Sequence, residues 1–230
     1  MEYIFEGIVR AIELLLTGNE ETYSAVFVTL KASTMSMIGS LALGIPCGFL
    51  LGYFDFPGKK QVRALVDTLL ALPTVVVGLF VYAFVSYRGP LGEMQLLFTI
   101  PGIALAQTIL VLPIVISLTA TAVESLDKRL RSTLMALGAR GKQIAIASIL
   151  EARYAVMIAA VTAYGRAVSE VGISMMIGGN IKWHTRTITT AIALETGKGE
   201  FSMGIALGIV LLTLAFTVNA LLTILKKRST

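Results

Sequence analysis

The chain has 230 residues, 56% of them hydrophobic and 14% charged, with a mean hydropathy of +0.82 and a formal net charge of +5. Soluble domains carry about 25% charged residues, so this composition excludes a water-soluble globule and describes an all-α, polytopic membrane protein. The basic residues gather between apolar runs, a pattern that sets membrane topology rather than a nucleic-acid-binding patch.

Residues 1–17 read as an amphipathic helix. Glu2, Glu6, Arg10 and Glu13 recur at helical spacing on one face, with Ile4, Phe5, Ile8, Ile12 and Leu15 opposite. Such a helix lies in the membrane interface, here as an anchor over residues 1–20 that packs beside the first span. Glu2 and Glu6 do not suit the basic leader of a signal peptide.

A bilayer core about 30 Å thick needs roughly 20 apolar residues in a helix. Five segments meet that length: Tyr23–Phe54, Val66–Ser86, Thr99–Val123, Ala152–Val171 and Met203–Leu225. Together they form one membrane domain over residues 23–225, followed by a basic tail over 226–230. Small residues crowd the first and fifth spans (Ala32, Ser33, Ser36, Gly39, Ser40, Gly44 and Gly48; Gly204 and Gly208). They let helices approach closely in lipid, within the subunit or across a dimer. Pro73 in mid-span and Pro113 in the third span read as helix breaks. The one cysteine, Cys47, lies in an apolar run, so there is no disulfide framework.

Basic loops stay on the cytoplasmic side. Lys59, Lys60 and Arg63 follow the first span. Lys128, Arg129, Arg131, Arg140, Lys142 and Arg153 follow the third, and Lys226, Lys227 and Arg228 end the fifth. These groups share one side only if the N-terminus is outside and the C-terminus cytoplasmic. Twelve of the 19 basic residues are then inside, and Glu2, Glu6, Glu13, Glu20, Glu21, Glu93, Glu195 and Glu200 are outside.

The segment Val123–Arg153 is too charged to cross a bilayer and too long for a simple turn. Gly138 and Gly141 divide it into two helical halves. Between Ser132 and Gly138 the chain can form a short helix with Leu134 and Leu137 on one face, ended by Gly138 where φ must turn positive. A short inward helix with an apolar face suits a groove on a partner; alternatively its arginines hold it against lipid headgroups. Further on, residues 173–196 are too polar and glycine-broken to span. They read as dipping partway in from outside, with Thr187–Glu195 as a short helix and Trp183 and His184 as interfacial anchors.

Ionisable residues inside spans are functional candidates. Arg166 and Glu170 are one helical turn apart, either as a gate pair on the outer half or as charges that simply neutralise each other. Lys31, near the outer start of the first span, can snorkel to headgroups, and Asn219 suits an interhelical hydrogen bond. No catalytic cluster appears: His184 is the single histidine, and Gly138–Gln143 lacks the spacing and the hydroxyl of a phosphate-binding loop. No metal or cofactor is expected, and transport powered by ATP would draw on another polypeptide. An ion-coupled secondary transporter would show an internal repeat and several membrane carboxylates, whereas Glu170 stands alone.

A cytoplasmic segment between the third and fourth of five spans, carrying Ala136, Leu137, Gly138 and Ala139, resembles the coupling loop of type I ABC importer permeases. Arg131, Thr133 and Leu134 depart from that family's Glu-Ala-Ala, and Glu151 replaces its proline. Three further stretches resemble the tungstate branch of the molybdate/tungstate permeases: Ala71 to Gly78, Arg88 to Gly92 with Gln107, and Gly178 to Ile181 followed by Thr185 to Thr196. Phe56–Gly58 is similar to the molybdate branch. The resemblance covers roughly residues 20–225.

It implies a type I (MetI-like) permease fold and a homodimer around a central pathway. Residues Ser132, Thr133, Leu134, Met135, Ala136, Leu137, Gly138 and Ala139 would dock on a separate ABC ATPase subunit. An external oxyanion-binding protein would deliver a tetrahedral dianion, tungstate first, with molybdate or sulfate as alternatives. Such an anion must cross without being held tightly, which suits hydroxyls, backbone N–H groups and helix N-termini. Thr74, Ser169 and Asn180, with Arg166 and Glu170, are the candidate pathway residues on that reading.

Overall fold

A computed structural model describes residues 2–126 and 133–228, so Asp127, Lys128, Arg129, Arg131 and Ser132 lie outside the described residues. The side chains of Asn219, Lys226, Lys227 and Arg228 lie outside them too. The helices in chain order are α1 (Glu2–Leu16), α2 (Glu20–Tyr53), α3 (Lys59–Leu69), α4 (Thr74–Val85), α5 (Ile100–Glu124), α6 (Gly141–Glu151), α7 (Arg153–Val168), α8 (Gly172–Gly178), α9 (Ile188–Gly197) and α10 (Phe201–Arg228). A short 3₁₀ turn, Gly92–Met94, precedes α5.

The two long central helices start where the sequence supplies caps. Asn19 Oδ1 accepts the Thr22 N–H at 3.0 Å, and Glu20 and Glu21 occupy the first turn of α2, where carboxylates suit the positive end of the helix dipole. Thr99 Oγ1 accepts the Gly102 N–H at 3.1 Å, with Pro101 in the first turn of α5. α2 and α5 form the main seam of the molecule. Ala32, Ser36, Ser40, Gly44 and Gly48 are buried along α2, a row of small residues four apart. A Cβ added at Gly48 would come 2.7 Å from the Ile116 carbonyl oxygen, so here backbone touches backbone, as small residues permit in lipid. Gly39 lies against Thr108, Gly44 against Val115 and Gly52 against Ala120. The pairing rises together in both helices, so α2 and α5 run in the same direction, as first and third spans must.

Among the described residues three helices are long and apolar enough to cross a membrane: Glu20–Tyr53, Ile100–Glu124 and Phe201–Val218. Two bent pairs, α3 with α4 at 98° and α6 with α7 at 65°, raise the number to five if each is one span. The expected second span, Val66–Ser86, is therefore two elements. Its inner part belongs to α3, an amphipathic helix, and α4 begins afresh at Thr74 with Pro73 at its N-cap. Proline disfavours the helical conformation in the residue before it, so Leu72 is not helical; α3 has ended at Leu69 and the chain restarts after Pro73. Thr74 opens a helix rather than lying in mid-span. Pro113, by contrast, sits inside α5 without breaking it. The fourth span ends at Val168, short of the expected Val171.

The N-terminal helix also packs differently from expectation. Gly7, Ala11 and Leu14 are buried, with Gly7 against Ser202 and Ile205 and the other two clustered with Ala206 of α10. Ser202 Oγ donates to Glu6 at 3.1 Å. The partner is thus the last span, not the first. Small side chains at Gly7 and Ala11 allow this close approach, while Ile4, Phe5, Ile8 and Ile12 stay exposed, free to meet lipid.

Candidate functional site

The break between α7 and α8 brings together the buried Gln107, Glu170, Ser174 and Thr189. Arg166 Nη1 lies 2.9 Å from Glu170 Oε2, with side-chain exposures of 38% and 2%. The carboxylate is enclosed while the guanidinium opens outward. Glu170 Oε1 accepts the Ile173 N–H at 3.1 Å, so it also holds the first turn of α8. Its backbone carbonyl accepts from Ser174 Oγ at 3.2 Å and Thr189 Oγ1 at 2.8 Å. Gln107 bridges the break from α5: Nε2 donates to the Ala167 carbonyl at 3.1 Å and more weakly to Ser174 Oγ at 3.5 Å. Buried backbone and side-chain polar groups need such partners, and here they fix a non-helical stretch inside an apolar body.

Thr74 reaches the same place from the other broken element. The position a Cβ would take on Gly172 is 3.5 Å from Thr74 Oγ1 and 3.4 Å from Glu170 Oε1. Gly172 admits both. Depth follows from helix register: Gln107 lies about 10 Å along α5 from its outer end, and α8 descends from there to Gly172. The two breaks therefore meet near the middle of a slab about 30 Å thick. An exposed guanidinium at that depth is costly against hydrocarbon and instead faces water or protein.

Ser169 is exposed beside this cluster, and its hydroxyl donates to the Arg166 carbonyl at 3.2 Å. Asn180 stands apart from the other candidates. It sits at the outer turn after α8 with φ 51°, and its Oδ1 accepts from Arg186 Nε at 3.2 Å. Arg186 and Lys182 both reach Glu21, at 2.5 and 2.7 Å, tying this turn to the start of α2. A cavity of about 400 Å³ opens there beside Lys182, Arg186 and Lys198, but Glu21 and Glu195 pair with all three cations. The expected helix after Thr187 is present, capped by reciprocal bonds between Thr187 and Thr190, while Thr29 Oγ1 accepts the Ile188 N–H at 2.9 Å. Trp183 is 54% exposed at the turn.

On the opposite side of the molecule, residues 133–136 are helical and the helix stops as anticipated. Gly138 has φ +80°. The Ala139 N–H donates to the Leu134 carbonyl at 2.9 Å and the Gly138 N–H to that of Met135 at 3.0 Å. This is the paired bonding of a glycine-terminated helix end. Leu137 is 78% and Met135 49% exposed, with Thr133 and Ala136 exposed and Leu134 half-buried. Ser132, the first residue of the expected docking segment, lies outside the described residues.

Gln107, Gly172 and Thr189 complete the mid-depth cluster, yet only Gln107 was singled out by the sequence, and only through family resemblance. Their contacts join residues far apart in the chain, where no local period can signal them.

Comparison with known proteins places this architecture. The chain is 46% identical over 227 residues to the tungstate uptake system permease protein TupB of Campylobacter jejuni, covering 99% of this chain and 95% of the relative. It is 39% identical to TupB of Peptoclostridium acidaminophilum, covering 96% and 97% of the two chains. It is 29% identical to the molybdenum transport system permease protein ModB of Escherichia coli K12, covering 81% and 85%. In fold it resembles the inward-facing MetNI methionine ABC transporter (TM-score 0.74, 18% identity, 91% of this chain and 96% of that one). It also resembles a bacterial ABC transporter that imports alginate (TM-score 0.74, 19% identity, 94% and 82%). Residues 44–230 match the family described as binding-protein-dependent transport system inner membrane component, and the chain belongs to that family of ABC importer permeases.

Proposed function

We propose that the chain is the membrane subunit of a tungstate importer in a prokaryotic plasma membrane. Two copies enclose a central pathway, an ABC ATPase dimer docks on residues 132–139 of each copy, and an external binding protein delivers the anion. The observation that carries this reading is the Arg166–Glu170 pair: a guanidinium with an open face, held at mid-depth by an enclosed carboxylate. A tetrahedral dianion passing there meets a cation whose charge is already half answered, so it is attracted without being trapped. Thr74 adds a hydroxyl at the start of α4, whose N-terminal N–H groups favour negative charge. Ser169 flanks the same opening, and Asn180 serves the outer turn. The high identity to two tungstate permeases over nearly the whole chain supports tungstate over molybdate or sulfate.

The test is ATP hydrolysis by the lipid-reconstituted permease–ATPase complex, with the binding protein loaded in turn with tungstate, molybdate and sulfate. Tungstate is expected to stimulate at the lowest concentration. Equal or absent stimulation would leave the permease family standing and return the substrate to unknown. Thr74→Val keeps the shape of the side chain and removes its hydroxyl. Tungstate uptake is expected to fall about tenfold, the worth of one net hydrogen bond to a charged group, with complex assembly unchanged. Unaltered uptake would take Thr74 off the pathway.

A further inference from the structure

The inner end of the molecule carries a charged network that the transport reading leaves unused. Arg63 of α3 donates from Nη2 to Thr121 Oγ1 at 2.6 Å, and its Nε lies 3.3 Å from Asp67 Oδ2. Asp67 in turn accepts from Ser117 Oγ at 2.8 Å. Glu124, the last residue of α5, lies 3.4 Å from Lys59 Nζ and 3.7 Å from Arg63 Nη1. Lys59 also donates to the Gly52 carbonyl near the end of α2 at 3.3 Å. The ends of α2 and α5 are thereby clasped to α3.

Two facts separate this clasp from ordinary surface pairing. Val66, packed with Leu51 and Ala120, is the only buried residue of α3, so polar contacts supplement a narrow apolar seam. Arg63 and Lys59 are 24% and 21% exposed in their side chains, against 46% for Asp67 and 39% for Glu124, so the cations are enclosed while their partners open to solvent. The position matters equally. Glu124 leads directly into the segment that ends at Gly138, and α3 leads through residues 70–73 into Thr74. Thr74 Oγ1 and Glu170 Oε1 both face the side of Gly172 where a Cβ would stand. The clasp ties the inner end of α5 to α3, and α3 runs on through residues 70–73 to Thr74 at the mid-depth break.

We infer that α3 is the transmission element of the transport cycle and Arg63 its positioning residue, carrying motion of the inner end of α5 to Thr74. The inference rests on the reading of residues 132–139 as the ATPase dock. In the reconstituted complex with tungstate-loaded binding protein, Arg63→Gln is expected to leave ATPase co-purification intact. Tungstate taken up per ATP hydrolysed should fall at least tenfold. Arg63→Lys, which keeps the charge, should restore most of that ratio, and Asp67→Asn should lower it by a smaller factor. A purely structural role would lower uptake and hydrolysis together, leaving their ratio fixed; a fixed ratio in both Arg63→Gln and Asp67→Asn overturns the inference. Failure of the docking reading looks different: the ATPase would then stay bound after Leu137→Asp, whatever the ratio in the Arg63 and Asp67 variants.

Discussion

Arg166→Ala is expected to destabilise the protein by about 3–5 kcal/mol, the cost of leaving a buried charge without its partner, and Glu170→Ala by distinctly less. The asymmetry comes from exposure. Removing the arginine strands a carboxylate whose side chain is 2% exposed and whose remaining contact on the side chain is the Ile173 N–H; removing the glutamate leaves a guanidinium already 38% open. The double variant Arg166→Ala/Glu170→Ala should therefore recover much of the stability lost by Arg166→Ala alone. Thermal unfolding of the purified complex in detergent reads this, and a double variant no more stable than the single one would show that the pair is not coupled. The same double variant decides what the pair is for. If the charges merely neutralise each other, the refolded double variant transports normally. On the pathway reading it assembles, hydrolyses ATP and moves tungstate at least a hundredfold more slowly, because the guanidinium at mid-depth is gone.

What the sequence made legible depended on how local the cause was. The three long spans follow from apolar length; the caps of the first two, Asn19 and Thr99, come from the structure and not from the apolar pattern. The pair at Arg166 and Glu170 was readable because four residues is one helical turn. The stop at Gly138 was readable because few residues other than glycine accept φ +80°. The second span was misread for a physical reason. Its window averages apolar across Val66–Ser86, but Lys59, Lys60, Arg63 and Asp67 recur every three or four residues, the period of a helix lying along a surface, and Pro73 ends it. Pro113 shows why proline alone does not decide: α5 is buried on several sides, and its neighbours hold the helix through the missing hydrogen bond. For α1, two apolar stripes were available, and the pattern cannot say which one packs; the smaller stripe, Gly7 and Ala11, does. The bridging role of Gln107 and the nearness of Thr74 to Gly172 were beyond reach, since both join segments about 60 to 100 residues apart.

Leu137→Asp is expected to abolish association with the ATPase. Leu137 is 78% exposed at the tip of a helix that ends within one turn, so its substitution leaves the packed body of the permease untouched. Burying a leucine in a partner groove is worth about 2 kcal/mol, roughly 30-fold in affinity. A carboxylate forced into the same groove adds a desolvation cost of similar or larger size. With one such helix on each of two copies the losses multiply, to about a thousandfold. Deleting 134–138 should do the same. The competing account holds this segment on lipid headgroups through Arg140 and Lys142, and it makes the opposite forecast. Leu137→Asp would then leave the complex intact, and so would Arg140→Gln with Lys142→Gln, which would loosen only a salt-sensitive hold on anionic lipid. Co-purification of the ATPase with each variant, at low and high salt, separates the two. An intact complex after Leu137→Asp would remove the dock, and with it the route by which ATP hydrolysis could reach the break at Glu170.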